Sequence, residues 1–94
     1  ASDDSSTITD IPSEALREHH AKVLSRASVA LKKQPVNERD YSTMILAASA
    51  DDLNFVKDEI KKFRRQLARA LEKRGNKNKV YVLGIQYFNL TEGL

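Results

Sequence analysis

The sequence predicts a small α+β domain with the element order α-β-α-β and a two-stranded sheet that a partner completes. Three observations lead to this prediction: two long stretches have apolar residues at helical spacing, two shorter stretches are rich in β-branched and aliphatic residues, and Pro35 and Gly75 follow the ends of the helical stretches. At 94 residues the chain has the size of a single domain. We place that domain at residues 11–91, between a linker or flexible arm at 1–10 and a tail at 92–94.

The first predicted helix begins beside Pro12, because proline suits a first helical turn, and Ser13 is its capping residue. Apolar side chains then follow one face from Leu16 to Leu31. The helix should end at "KKQP", because the residue that precedes Pro35 is driven out of the helical region.

The second predicted helix begins after Ser49 and Asp52, which have the spacing of a capping box. An apolar residue then recurs every three or four positions as far as Leu71. We expect Gly75 and Asn76 to end the helix, with Gly75 in the left-handed conformation.

The two predicted strands are residues 40–48 and residues 79–90. Both have apolar side chains on both faces, so both should be covered. Gly84 indicates a bulge or a close backbone approach within the second. Because a lone pair of strands is marginal in water and leaves open edges, we expect self-association or docking to another domain. The self-association candidates are Val82, Ile85, Tyr87 and Phe88.

The net charge of +3 is concentrated in one part of the chain. Residues 57–79 hold ten basic and three acidic side chains. A basic row with a spacing of four follows the second helix: Lys61, Arg65, Arg69 and Lys73. Most of this pattern is typical of a solvated helix face. Non-specific contact with a phosphate backbone is the alternative, since no aromatic residues accompany the row.

Other residues give little indication of chemistry. His19 and His20 are adjacent, which is a poor spacing for two ligands of one metal, and we expect neither catalysis nor metal binding from them. Arg39 and Asp40 are a candidate partner site, although a loop-fixing role is the simpler interpretation. The three glycines are isolated, so the sequence has no glycine-rich phosphate loop, and we expect no cofactor.

The composition excludes several classes of protein. The absence of cysteine excludes a disulfide framework and thiolate metal sites. No apolar run approaches the roughly 20 residues of a membrane helix, and the N-terminus is not a signal peptide. We therefore expect a cytoplasmic protein, and since the chain begins with Ala1, we expect it to be a piece of a longer one.

Three stretches carry a resemblance to a known family: "IPSEALREHHAKVL", "ERDYSTMILAASADDLNFVKDEIKKFRRQL" and "NKVYVLGIQYFNLT". Across residues 11–91 the chain resembles a C-terminal domain of unknown function in bacterial transcription regulators, where a winged-helix-like or helix-turn-helix segment precedes it. His20, Arg39, Asp40 and the closing V-Y-x-L-x-I-Q-x-F fit the pattern. His19 and Gly84 depart from it.

The resemblance implies a regulatory context. We expect a non-enzymatic oligomerisation or effector domain that forms a homodimer or docks to an upstream DNA-binding domain. A nucleic-acid-contacting domain that uses the basic second helix is the first alternative. A sensor of a small molecule or peptide is the second.

Overall fold

The computed structural model describes residues 13–92, which contain two helices of equal length. Helix α1 is Glu14–Lys33 and helix α2 is Leu53–Glu72. Short 3-10 turns lie at Val36–Glu38 and Ala50–Asp52. The predicted arm at residues 1–10, Pro12 and the end of the predicted tail lie outside the described residues.

The start of α1 is fixed by Ser13, as the sequence predicts. The Ser13 hydroxyl accepts a hydrogen bond from the Leu16 backbone N–H at 3.0 Å, which satisfies one of the donors that a helix start leaves unpaired. At the other end, the Gln34 N–H donates to the Ala30 carbonyl at 2.9 Å, and Pro35 has extended backbone angles. The predicted stop before Pro35 is confirmed.

The start of α2 is fixed by the predicted capping box. The Ser49 N–H donates to the Asp52 carboxylate at 3.1 Å, and the Asp51 N–H donates to the Ser49 hydroxyl at 3.1 Å. These reciprocal bonds hold the 3-10 turn that leads into Leu53. Ser49 and Asp52 therefore set the direction in which α2 begins.

The end of α2 differs from the prediction in one respect. Asn76 has a φ of 60°, in the left-handed region, whereas Gly75 lies outside that region. Asparagine tolerates this conformation better than most residues because its short polar side chain makes local hydrogen bonds. The left-handed residue after the helix is thus Asn76, and the assignment of that role to Gly75 was wrong.

The α+β prediction was wrong, because the described residues contain helices and no strand. The segments 40–48 and 79–90 have neither helical nor strand structure. Strand propensity mainly reflects how a side chain packs against neighbouring strands, so a β-rich sequence forms a strand only when another strand pairs with it. A helix satisfies its hydrogen bonds within itself, which is why the two helices were predictable and the sheet was not.

The described residues belong to two compact units. One unit contains residues 40–78 and therefore α2. The other contains residues 13–39 and 79–92, and in it the chain passes close to α1 at Gly84. A methyl group added at Gly84 would lie 3.5 Å from the Val23 side chain and 3.3 Å from the Gln86 amide nitrogen.

No described side chain is buried, and partial burial is concentrated on the helices. On α1 the half-buried residues are Leu16, Val23, Ala27 and Ala30. On α2 they are Val56, Lys57, Ile60, Lys61, Arg64 and Leu67. Both sets repeat at helical spacing, so each helix has one partly covered face.

Candidate interaction surface

The predicted basic row on α2 is mostly open to solvent. Arg65, Arg69 and Lys73 are exposed, whereas Lys61 is half-buried on the flank of the apolar face. Arg69 lies in the last turn of α2, where a positive charge interacts favourably with the helix dipole. Three of the four predicted residues are thus accessible to a ligand. The interaction with the helix dipole explains the position of Arg69 without a ligand.

Other basic residues near this row already have partners. The Lys62 ammonium lies 3.0 Å from the Glu59 carboxylate, three residues away on the same helix. The Lys77 ammonium donates to the carbonyls of Leu71, at 3.0 Å, and Arg74. The sequence analysis missed this capping role of Lys77, although a lysine just beyond a helix end is a known signal for it.

Arg39 and Asp40 each make local hydrogen bonds. The Arg39 Nε donates to the Gln34 carbonyl at 2.9 Å, which ties the connection after α1 to the helix end. The Asp40 carboxylate accepts from the Ser42 hydroxyl at 3.4 Å. This geometry favours the loop-fixing interpretation over a partner site.

The two histidines of α1 lie beside each other on its exposed surface. Their ring centroids are 5.5 Å apart and the rings are tilted by 59°. Among residues 13–92, no group of three or more His, Asp or Glu side chains is arranged to hold a metal ion. His19 and His20 therefore belong to no such group in the described part of the chain.

Most of the exposed large apolar side chains in the described residues lie in the two segments that were predicted as strands. In residues 79–90 the exposed large apolar side chains are Val80, Tyr81, Val82, Leu83, Ile85, Tyr87, Phe88 and Leu90. In residues 40–48 they are Tyr41, Met44, Ile45 and Leu46. All four predicted self-association residues are in the first set. Ile85 and Tyr87 are 42% and 41% exposed, whereas Val82 is 75% and Phe88 is 66% exposed.

The contiguity of these residues distinguishes them from ordinary surface apolar residues. Single exposed Leu or Val side chains are normal on a protein surface. A run in which eight of twelve residues are large, apolar and exposed is different, and extended apolar patches mark interaction sites. We name residues 79–90 the apolar segment.

None of the described helices is both long enough and apolar enough to cross a bilayer. The comparison with curated proteins found no match, and neither did the comparison with solved structures. A family model described as a domain of unknown function (DUF4423) matches residues 1–90. Because this match covers nearly the whole of the 94-residue chain, the chain belongs to the DUF4423 family.

Proposed function

We propose that this domain is a non-enzymatic protein-interaction domain that associates with a second copy of itself. The observation that carries the proposal is the apolar segment, which exposes eight large apolar side chains within twelve residues. Removing apolar surface from water contributes about 25 cal/mol per Å². Burial of the apolar segment against a partner would therefore strongly favour association.

The biological context that we propose is bacterial transcription regulation, in the cytoplasm. Its support is the resemblance carried by the sequence, in which a DNA-binding segment precedes a domain of this kind. A regulator that recognises two half-sites requires a two-fold arrangement, and a self-associating C-terminal domain supplies one. Oligomerisation of the domain would then position two DNA-binding segments.

The test is the molar mass of the chain in solution, measured by light scattering over a wide concentration range. We expect a dimer at high concentration. Phe88→Lys should lower the measured mass toward that of the monomer, because it places a charge within the apolar segment. Phe88 is already 66% exposed, so the change should leave the helices intact, as circular dichroism would report.

Val36→Lys is the matched control. Val36 is also exposed and apolar, but it lies in the 3-10 turn after α1, outside the apolar segment. It should leave the mass unchanged. A monomer at every concentration in the unchanged chain, or an equal effect of the two substitutions, would contradict the proposal.

Nucleic-acid contact is a second candidate, favoured by the exposed basic residues Arg65, Arg69 and Lys73. Such contact would be non-specific, because neutralised phosphates release counterions whatever the base sequence. Changing Lys61, Arg65 and Arg69 together to Gln should weaken it and reduce its salt dependence. We expect the unchanged domain to show no duplex binding at physiological salt in fluorescence anisotropy. Micromolar binding that the triple change weakens would favour the second candidate instead.

A further inference from the structure

Helix α2 carries an apolar seam with the spacing of a coiled coil. Its residues alternate in steps of three and four: Leu53, Val56, Ile60, Phe63, Leu67 and Ala70. In heptad notation these are successive a and d positions, and they span 18 of the 20 residues of the helix, about 27 Å. None of the six is buried: Leu53, Phe63 and Ala70 are exposed, and Val56, Ile60 and Leu67 are half-buried.

Charged residues of opposite sign border the seam on its two sides. Asp52 and Glu59 occupy g positions, and Lys57 and Arg64 occupy the e positions five residues later. In a parallel coiled coil, each g residue faces the e residue five positions on in the partner helix. Glu59 would therefore face Arg64 of the second copy, and Asp52, whose carboxylate also accepts the Ser49 N–H, would face Lys57.

The same charges oppose an antiparallel pair. In that arrangement e positions face e positions, so Arg64 and Lys57 would meet Arg64 or Lys57 of the other helix. Like charges at these positions disfavour association and select against the wrong orientation. The charge pattern thus matches a parallel second copy.

We propose that α2 pairs with α2 of a second copy in parallel, through the seam that runs from Leu53 to Ala70. This inference rests on the proposed self-association and adds a second contact, on α2, to the one proposed for the apolar segment. The 3.0 Å contact between Glu59 and Lys62 does not oppose it, because both side chains are at least half exposed and such a pair is worth little. Arg64 is half-buried, which suits a residue whose stem flanks a seam while its charge reaches a partner.

The arrangement leaves most of the basic row outside the contact. Lys61, Arg65 and Arg69 occupy b, f and c positions, which point away from a coiled-coil partner. A dimer formed in this way would therefore present two basic surfaces on its outer sides. The same helix can pair with a second copy and still present these charges.

Charge reversal with rescue tests the pairing. Arg64→Glu should raise the dimer dissociation constant roughly tenfold, since two repulsive contacts replace two attractive ones. Glu59→Lys should do the same. The double variant Glu59→Lys/Arg64→Glu should restore the original constant, because it exchanges the two charges. Sedimentation equilibrium on the complete chain would provide these constants.

The rescue distinguishes a contact between copies from one within a helix. Residues five apart lie about 140° apart around the same helix and do not face each other. Arg65→Glu, with the same charge change at an outward f position, is the control and should leave the constant unchanged. If the chain dimerises but Arg64→Glu acts no more strongly than Arg65→Glu, the parallel pairing is wrong and the proposed function stands. A chain that stays monomeric would overturn both.

A single introduced thiol tests the orientation separately, because the chain has no cysteine of its own. In a parallel pair the two copies of Leu53 face each other across the seam. Their Cα atoms would then lie within the roughly 4.4–6.8 Å that a disulfide requires. Leu53→Cys should therefore cross-link quickly under mild oxidation, and Asn54→Cys, at an outward b position, should not. Equal cross-linking of the two variants, or none with Leu53→Cys in a dimeric chain, would contradict a parallel arrangement.

Discussion

At the scale of single residues, the left-handed position after α2 is occupied by Asn76 rather than by its glycine neighbour. Asn76 has a φ of 60°, a conformation that is costly for most residues, while Gly75 lies outside the left-handed region. Nothing lies within 4 Å of the position that a Gly75 side chain would occupy. Gly75 has the greater conformational freedom, but Asn76 is the residue that adopts the left-handed conformation.

Substitutions at these two positions should have opposite signs. Gly75→Ala should raise the free energy of unfolding by about 0.5 kcal/mol, because it restricts the unfolded chain without straining the folded one. Asn76→Ala should lower it by about 1 kcal/mol, the cost of a Cβ in the left-handed region without the asparagine side chain. Urea denaturation followed by circular dichroism would measure both. A loss of stability in Gly75→Ala would show that Gly75 has the capping role instead.

At the scale of elements, the helix boundaries were predictable and the strands were not, for one physical reason. Ser13, Ser49 and Asp52 act on backbone groups within three residues, so their spacing in the sequence carries all the information needed. A strand depends on a partner that sequence spacing does not specify. The β-rich composition of 40–48 and 79–90 therefore led to a wrong prediction of covered strands, whereas the large apolar side chains of both segments are exposed.

Of the candidate sites, the exposed part of the basic row and the apolar segment were predictable from residue type alone. The capping role of Lys77 was missed, although its place just beyond the predicted end of α2 is a signal for it, because the two carbonyls that it reaches depend on the path of the residues in between. The Lys77 ammonium donates hydrogen bonds to two carbonyls at the C-terminal end of α2. A positive charge there also interacts favourably with the helix dipole.

Lys77→Met should therefore lower the free energy of unfolding by about 0.5–1 kcal/mol, since it removes both hydrogen bonds and the charge at the end of α2. Lys79→Met changes the charge equally two residues further on and is the control. Thermal unfolding followed at the helical signal would compare them. Equal effects of the two substitutions would show that the Lys77 contact contributes nothing beyond its charge.

At the scale of the whole molecule, the distribution of apolar side chains is the dominant feature. Within residues 13–92, twelve of the twenty exposed large apolar residues lie in just two segments, 40–48 and 79–90. A third contribution comes from the α2 seam, in which Leu53 and Phe63 are exposed. Membership of the DUF4423 family assigns no activity to this arrangement, so the expected association rests on the exposed surface and on the charges beside the seam.

The absence of helix and strand from the apolar segment has a consequence for the lifetime of the chain in a cell. Proteases cut polypeptide that lies outside regular secondary structure, and quality-control proteases select exposed aromatic and aliphatic residues. The apolar segment offers both, because Tyr81, Tyr87 and Phe88 are exposed and lie outside helix and strand. A single copy would be degraded faster than one whose segment is covered. The abundance of the protein would then follow its state of association, because copies without a partner are removed.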